Sequence, residues 1–220
     1  MQLDTNPYEA HMSSTSPIPR PALFVIAIFA LLTLWVILQV EIPMLLGLNA
    51  DWDRKINDYR WLLHLHAAAG MAALLIGPIQ FLAYVRIEHQ RWHRRLGYVN
   101  AMAIVVAAPL AIWIAVHHLP AGDRLPTIVQ SVLWLLCTGA GVLAAVQRRV
   151  DAHRSWVYRS YALTTTFVFT RLLFDVAHWQ PPEGLGGHGG VLWMATLLAL
   201  VAAELLASKV PFARTVAANP

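Results

Sequence analysis

The chain has 220 residues and a mass of 24.5 kDa, enough for one domain or two small ones. It is 58% hydrophobic and 13% charged, with a mean hydropathy of +0.53, whereas soluble chains run at about half apolar and a quarter charged. That gap excludes a disordered chain, an ordinary soluble enzyme and a nucleic-acid binder; the net charge of +4 sits in short loops, as membrane topology demands.

Residues 1–20 are polar, with a Ser13–Ser14–Thr15–Ser16 run and three nearby prolines, and are expected to form a flexible cytoplasmic tail. The apolar run 22–40 is long enough to span, so it reads as a first helix and not as a cleaved secretory signal. Five more spans follow at 62–85, 96–117, 128–146, 157–177 and 191–207. The breaks carry turn residues at 49–53, 120–126 and 181–190. The expected architecture is therefore all-α: one six-helix transmembrane domain over 21–210, then a short cytoplasmic tail at 211–220. The lone Cys137 falls inside an apolar run, permits no intramolecular disulfide and reads as a small core residue.

Orientation follows from the basic residues. Arg86, Arg91, Arg94 and Arg95 follow the second span, and Arg148, Arg149 and Arg154 follow the fourth. On the other side Arg54, Lys55, Arg60 and Arg124 are diluted by aspartates. The positive-inside rule then predicts a multi-pass protein of the bacterial inner membrane with both termini in the cytoplasm.

A 60-residue offset organises the histidines. His93–Arg94 opens the third span and His153–Arg154 the fifth, while His118 and His178 stand at their far ends. Spans two to five thus read as a pseudo-symmetric four-helix core made of two hairpins in parallel orientation. At about 100° per residue, His153, Ser160, Thr164, Arg171, Asp175 and His178 share one face of the fifth span. His93, Gly97, Asn100 and His118 share a face of the third; His66, Gly70, Gly77, Gln80 and Tyr84 share a face of the second. Polar groups are costly in hydrocarbon, so these stripes should look into the bundle. A plainer account of each exists. Arg171 and Asp175, at i and i+4, can neutralise one another. The glycines can serve close packing. The arginine-flanked histidines can meet lipid phosphate, and Glu204 can reach the boundary near Lys209.

The stretches HLHAAAGMAALLIGPIQF (64–81), RIEHQRWHRRLGYV (86–99) and DAHRSWVYRSYALTTTFVFTRLL (151–173) resemble the bacterial predicted-membrane-protein family known as domain of unknown function 2306. The resemblance runs from about Trp61 to the Glu204 region and implies an integral membrane protein, with no particular activity. A looser likeness, through His66 and His93, is to the transmembrane cytochromes b of the ascorbate- and ferric-reductase type. The chain departs from that pattern because its fourth span has no histidine.

Four readings of function follow. The leading one is a haem b-binding electron-transfer protein: His93 with His153 would supply axial ligands, with Arg94 and Arg154 pairing the propionates. His118 with His178 would form a second site, or His66 would partner one of them. Twenty-five helical residues cover about 37 Å against a core of about 30 Å, so two such haems would lie at the interfaces. The second reading is a transporter or small-molecule site in which Arg171 binds an anion or quinone carbonyl and Asp175 relays protons, with Gln80 a further intramembrane polar group. The third, a metal site of His66, His118 and His178, lacks tight ligand spacing. The fourth is an assembly or partner subunit whose polar stripes are packing contacts.

Overall fold

A computed structural model describes residues 20–48, 54, 56–182, 184 and 186–208. The expected tail at 1–20 apart from Arg20, the tail at 211–220 and the whole 49–53 break lie outside them. Every regular element among the described residues is helical. Residues 1–35 and 36–220 form two compact units. The described part of the first is a helix, α1 (Arg20–Val36), in which Thr33 returns its hydroxyl to the Phe29 carbonyl at 2.8 Å.

The second unit opens with a π-helical turn (Ile37–Glu41) and a short helix, α2 (Ile42–Leu45). Then come α3 (Arg60–Phe81), α4 (Ala83–Ile87), α5 (Gln90–His118), α6 (Ala121–Val146) and α7 (Val150–Arg171). A second π-helical turn (Leu172–Val176) extends α7, and α8 (Gly187–Ser208) closes the unit. Five described spans are long and apolar enough to cross a membrane: Ala27–Leu45, Asn57–Phe81, Gln90–His118, Ala121–Val146 and Gly187–Ser208. The chain is thus an all-α polytopic membrane protein. Helix α7 is not among the five because Asp151, Arg154, Arg159, Arg171 and a run of hydroxyls dilute its apolar surface.

Its setting explains how so polar a helix is accommodated. Helix α3 packs along α5, α5 along α6 and α6 along α7, while α3 and α7 meet over a short stretch and close a ring of four. Helices α5 and α7 therefore face each other diagonally, and α8 covers α6 and α7. One face of α6 meets the hydroxyls of α7 rung by rung. Gln130 donates to Thr166 and to the Leu163 carbonyl, and Trp134 Nε1 donates to Thr164 Oγ1 at 3.0 Å. Thr138 and Ser160 share a hydrogen bond at 2.8 Å, and His153 Nδ1 reaches the Gly141 carbonyl at 2.8 Å. Ser160 and Thr164, two members of the fifth-span stripe, are thereby engaged by α6. Thr138→Val is expected to destabilise by about 0.6 kcal/mol, the average for a hydrogen bond between membrane helices; unfolding in mixed micelles measures it.

Two prolines shape the packing. The second span was expected to run unbroken over 62–85, but α3 stops at Phe81 and Leu82 is extended (φ −63°, ψ 122°) before α4 begins. Pro78, inside α3, has no N–H for the Leu74 carbonyl, and its ring crowds that turn. Tyr161 of α7 supplies the missing donor, its hydroxyl 3.3 Å from the Leu74 oxygen. The Tyr161 ring lies where a Cβ on Gly77 would stand, so only glycine fits there. Tyr161→Phe keeps the ring and strips the donor; a cost of about 1–3 kcal/mol is expected for the orphaned carbonyl, read from the same unfolding assay. In α6, Pro126 likewise cannot donate to the Gly122 carbonyl four residues back. Gly189 of α8 comes against that carbonyl so closely that a Cβ would collide with it. The residues around 120–126, expected as a break, are instead mostly the first turns of α6, which begins at Ala121.

Candidate functional site

The two π-helical turns touch each other, and that contact brings together three charged side chains. A π-turn holds one residue more than an α-turn and so rotates the side chains that follow it; such turns are frequent at functional sites. Glu41 ends the first of them and Asp175 lies in the second. Between their carboxylates sits Arg171, the last residue of α7. Arg171 Nη1 donates to Asp175 Oδ2 at 2.9 Å, and its Nε lies 3.1 Å from Glu41 Oε1. The guanidinium also stands 5.3 Å from the centroid of the Phe167 ring.

The two acids differ in setting. Asp175 is 19% exposed, whereas Glu41 is 1% exposed and neither of its oxygens has a hydrogen-bond partner. The contact of Glu41 with Arg171 is thus an ion pair without hydrogen-bond alignment. One guanidinium faces two carboxylates, so the cluster has acceptor capacity to spare. Below it, His66 of α3 is close enough for the Arg171 charge to act on it. Its Nδ1 is 2.8 Å from the Ala107 carbonyl of α5. A carbonyl only accepts, so Nδ1 carries the proton and Nε2 of the neutral ring is the acceptor.

The other expected site residues are distributed as follows. His118 ends α5 and stacks on Tyr59, with ring centroids 4.0 Å apart. His178 lies beyond the second π-turn, exposed, in a left-handed backbone conformation (φ 50°), and so leaves the stripe on which the fifth span's phase had placed it. His93 and His153 stand in the first turns of α5 and α7. Gln80 lies beside Gly97 of α5. Arg94 is exposed and Arg154 half-buried. Among the described residues, no group of three or more His, Cys, Asp and Glu is placed to hold a metal ion.

Two functional-looking features escaped the sequence. Glu41 reads as a mere span-end acid, because its pairing with Arg171 depends on a contact across 130 residues. Glu204, expected to reach the boundary near Lys209, which lies outside the described residues, holds Arg159 through both oxygens at 2.6 and 3.0 Å. No periodicity within one helix signals either pairing; an acid near the end of one span and an unmatched arginine in another is the only available hint.

A sequence profile described as predicted membrane protein (DUF2306) matches residues 63–209, about two thirds of the chain. No curated protein and no solved structure matches it.

Proposed function

The chain belongs to the predicted membrane protein family DUF2306, and from that premise we propose that it is a transport or small-molecule-binding protein working through a proton- or cation-carrying site at Glu41, Arg171 and Asp175. The observation that supports this most is the Glu41 carboxylate: buried, without a hydrogen bond, and sharing its one ion-pair partner with Asp175. Ionisable groups inside a membrane protein mark ion and proton paths more often than they serve stability. A proton arriving on the cluster neutralises its excess carboxylate, and Asp175, the more exposed acid, is the point of entry. An anion or a quinone carbonyl would have to displace a carboxylate from Arg171, so a proton or small cation fits better. On the positive-inside rule the cluster faces the outer side of a bacterial inner membrane, and the arginine-rich loops face the cytoplasm.

Proton movement tests this reading. Vesicles containing the protein are given a pH gradient and an internal pH dye, and an infrared titration follows the carboxyl band. Wild type is expected to dissipate the gradient faster than Glu41→Gln and to lose a carboxyl band in that variant. Equal rates and identical spectra would overturn the proposal.

A haem b reading would place its axial ligands at His93 and His153. The Gly141 carbonyl fixes the proton of His153 on Nδ1 and leaves Nε2 as the ligand nitrogen. An optical spectrum of the purified protein decides it. A Soret band with a sharp reduced α-band at stoichiometric iron would establish a cytochrome.

A further inference from the structure

At the arginine-rich end of the four-helix ring, α3, α5 and α7 carry polar side chains within about three helical turns of one another, and α6 offers the Gly141 carbonyl. Gln80 comes from the end of α3, and its Oε1 lies 3.5 Å from the position a Cβ on Gly97 would take. His93 and Asn100 flank Gly97 at one helical turn on either side, on the same face of α5. Across the ring diagonal, His153 and Arg154 open α7, with His153 tied to Gly141 of α6. Phe81, next to Gln80, stacks on Tyr158 at 5.6 Å, one turn along α7 from Arg154, and forms an apolar wall.

Four atoms here are buried without a hydrogen-bond partner: Gln80 Nε2, His93 Nδ1, Asn100 Oδ1 and Arg154 Nε. Buried polar groups are satisfied in the great majority of cases, and leaving one unsatisfied costs about 1–3 kcal/mol. Single unsatisfied atoms occur elsewhere, at His64 and Thr196, but here four gather at one end of the ring, beside an α6–α7 ladder whose polar groups are paired. Three of the four are nitrogens able to donate. The first turns of α5 and α7 also direct their unpaired backbone N–H groups and positive dipole ends to this end of the ring.

We propose that these side chains form an oxyanion site, taking a phosphate or carboxylate between Gln80, His93 and Arg154. The Arg154 guanidinium supplies charge, Gln80 and His93 supply neutral donors, and Asn100 accepts from a protonated oxygen of the ligand or turns its amide to donate. Arg94, equally charged but exposed, lies outside the set. This site is separate from the Glu41 cluster and stands or falls without it.

The test uses the full chain in detergent, with two sources of the same chemistry. Native mass spectrometry detects a retained phospholipid, the headgroup source. Thermal unfolding in inorganic phosphate, against chloride at equal ionic strength, detects a free anion. One arm is expected to respond in wild type, and the arm that does identifies the source. The response should weaken roughly tenfold or more in Arg154→Gln, as expected for loss of a charge-assisted hydrogen bond. It should weaken too in Gln80→Met, which alters no charge, and persist in Arg94→Gln. Silence in both arms would overturn the proposal. So would an equal loss in Arg94→Gln, which would reduce the effect to surface charge, or a stoichiometric haem spectrum, since haem would then occupy these groups.

Discussion

Replacing Arg171 by methionine is expected to destabilise the protein by about 3–5 kcal/mol, because removing one partner of a buried pair leaves the other charge uncompensated. Glu41 is that other charge, with 1% of its side chain exposed. The cost therefore belongs to Glu41 more than to Arg171, and it should vanish when Glu41 is changed as well. Glu41→Leu with Arg171→Met is expected to be far more stable than Arg171→Met alone, since well-packed apolar side chains replace buried ion pairs at little or no cost. Asp175 reaches solvent in either background. Equilibrium unfolding of the four proteins in mixed micelles gives the coupling energy directly. Additive losses would show that the buried carboxylate is compensated by something other than Arg171.

The second large effect is expected at Gly77. A Cβ there would stand inside the Tyr161 ring, and neither side can yield cheaply. Gly77 is backbone in the closing turns of α3, next to Pro78, and Tyr161 is held by its hydroxyl on Leu74 and by the edge-on Phe81 ring at 5.4 Å. Gly77→Ala is expected to cost about 1–3 kcal/mol, the range for overpacking a well-filled interior. Tyr161→Ala removes the obstacle, so the double variant should be hardly worse than Tyr161→Ala by itself. That non-additivity distinguishes collision from a helix-propensity effect, which alanine would in any case improve over glycine. The unfolding assay that reads the Arg171 cycle reads this one too.

Much of the architecture is legible in the sequence because membrane helices announce themselves through length and hydropathy. The family resemblance, carried by the HR segments and the 77–81 motif, agrees with the profile match over 63–209. Residues 157–177 read as a span from their length, yet α7 is too polar to qualify on composition; its hydroxyls are matched by α6 and its Arg159 by Glu204 of α8, which single-helix hydropathy cannot register. The Glu41–Arg171 pair and the Arg159–Glu204 pair were hidden for the same reason, as each joins distant segments. Helical phase also misplaced His178, because a π-turn inserts a residue into the count and the helix ends before reaching it. Pro78 was visible, but its consequence was not: the sequence shows a missing donor and never shows that Tyr161 replaces it.

The ladder between α6 and α7 bears on how the chain enters the bilayer. A helix carrying Asp151, Arg154, Arg159 and Arg171 partitions poorly as a solitary segment, since each charge at mid-depth costs about 2.5–3.5 kcal/mol on insertion scales. Helix α6 is apolar enough to insert first, and its Gln130, Trp134, Thr138 and Gly141 then offer α7 four ready partners. Synthesis order matches that requirement, with α6 leaving the ribosome immediately before α7 and joined to it by a turn at Gln147–Arg149. The two helices are therefore expected to enter together as a hairpin, α6 taking up the hydroxyls and His153 of α7 while Arg159 waits for Glu204 of α8.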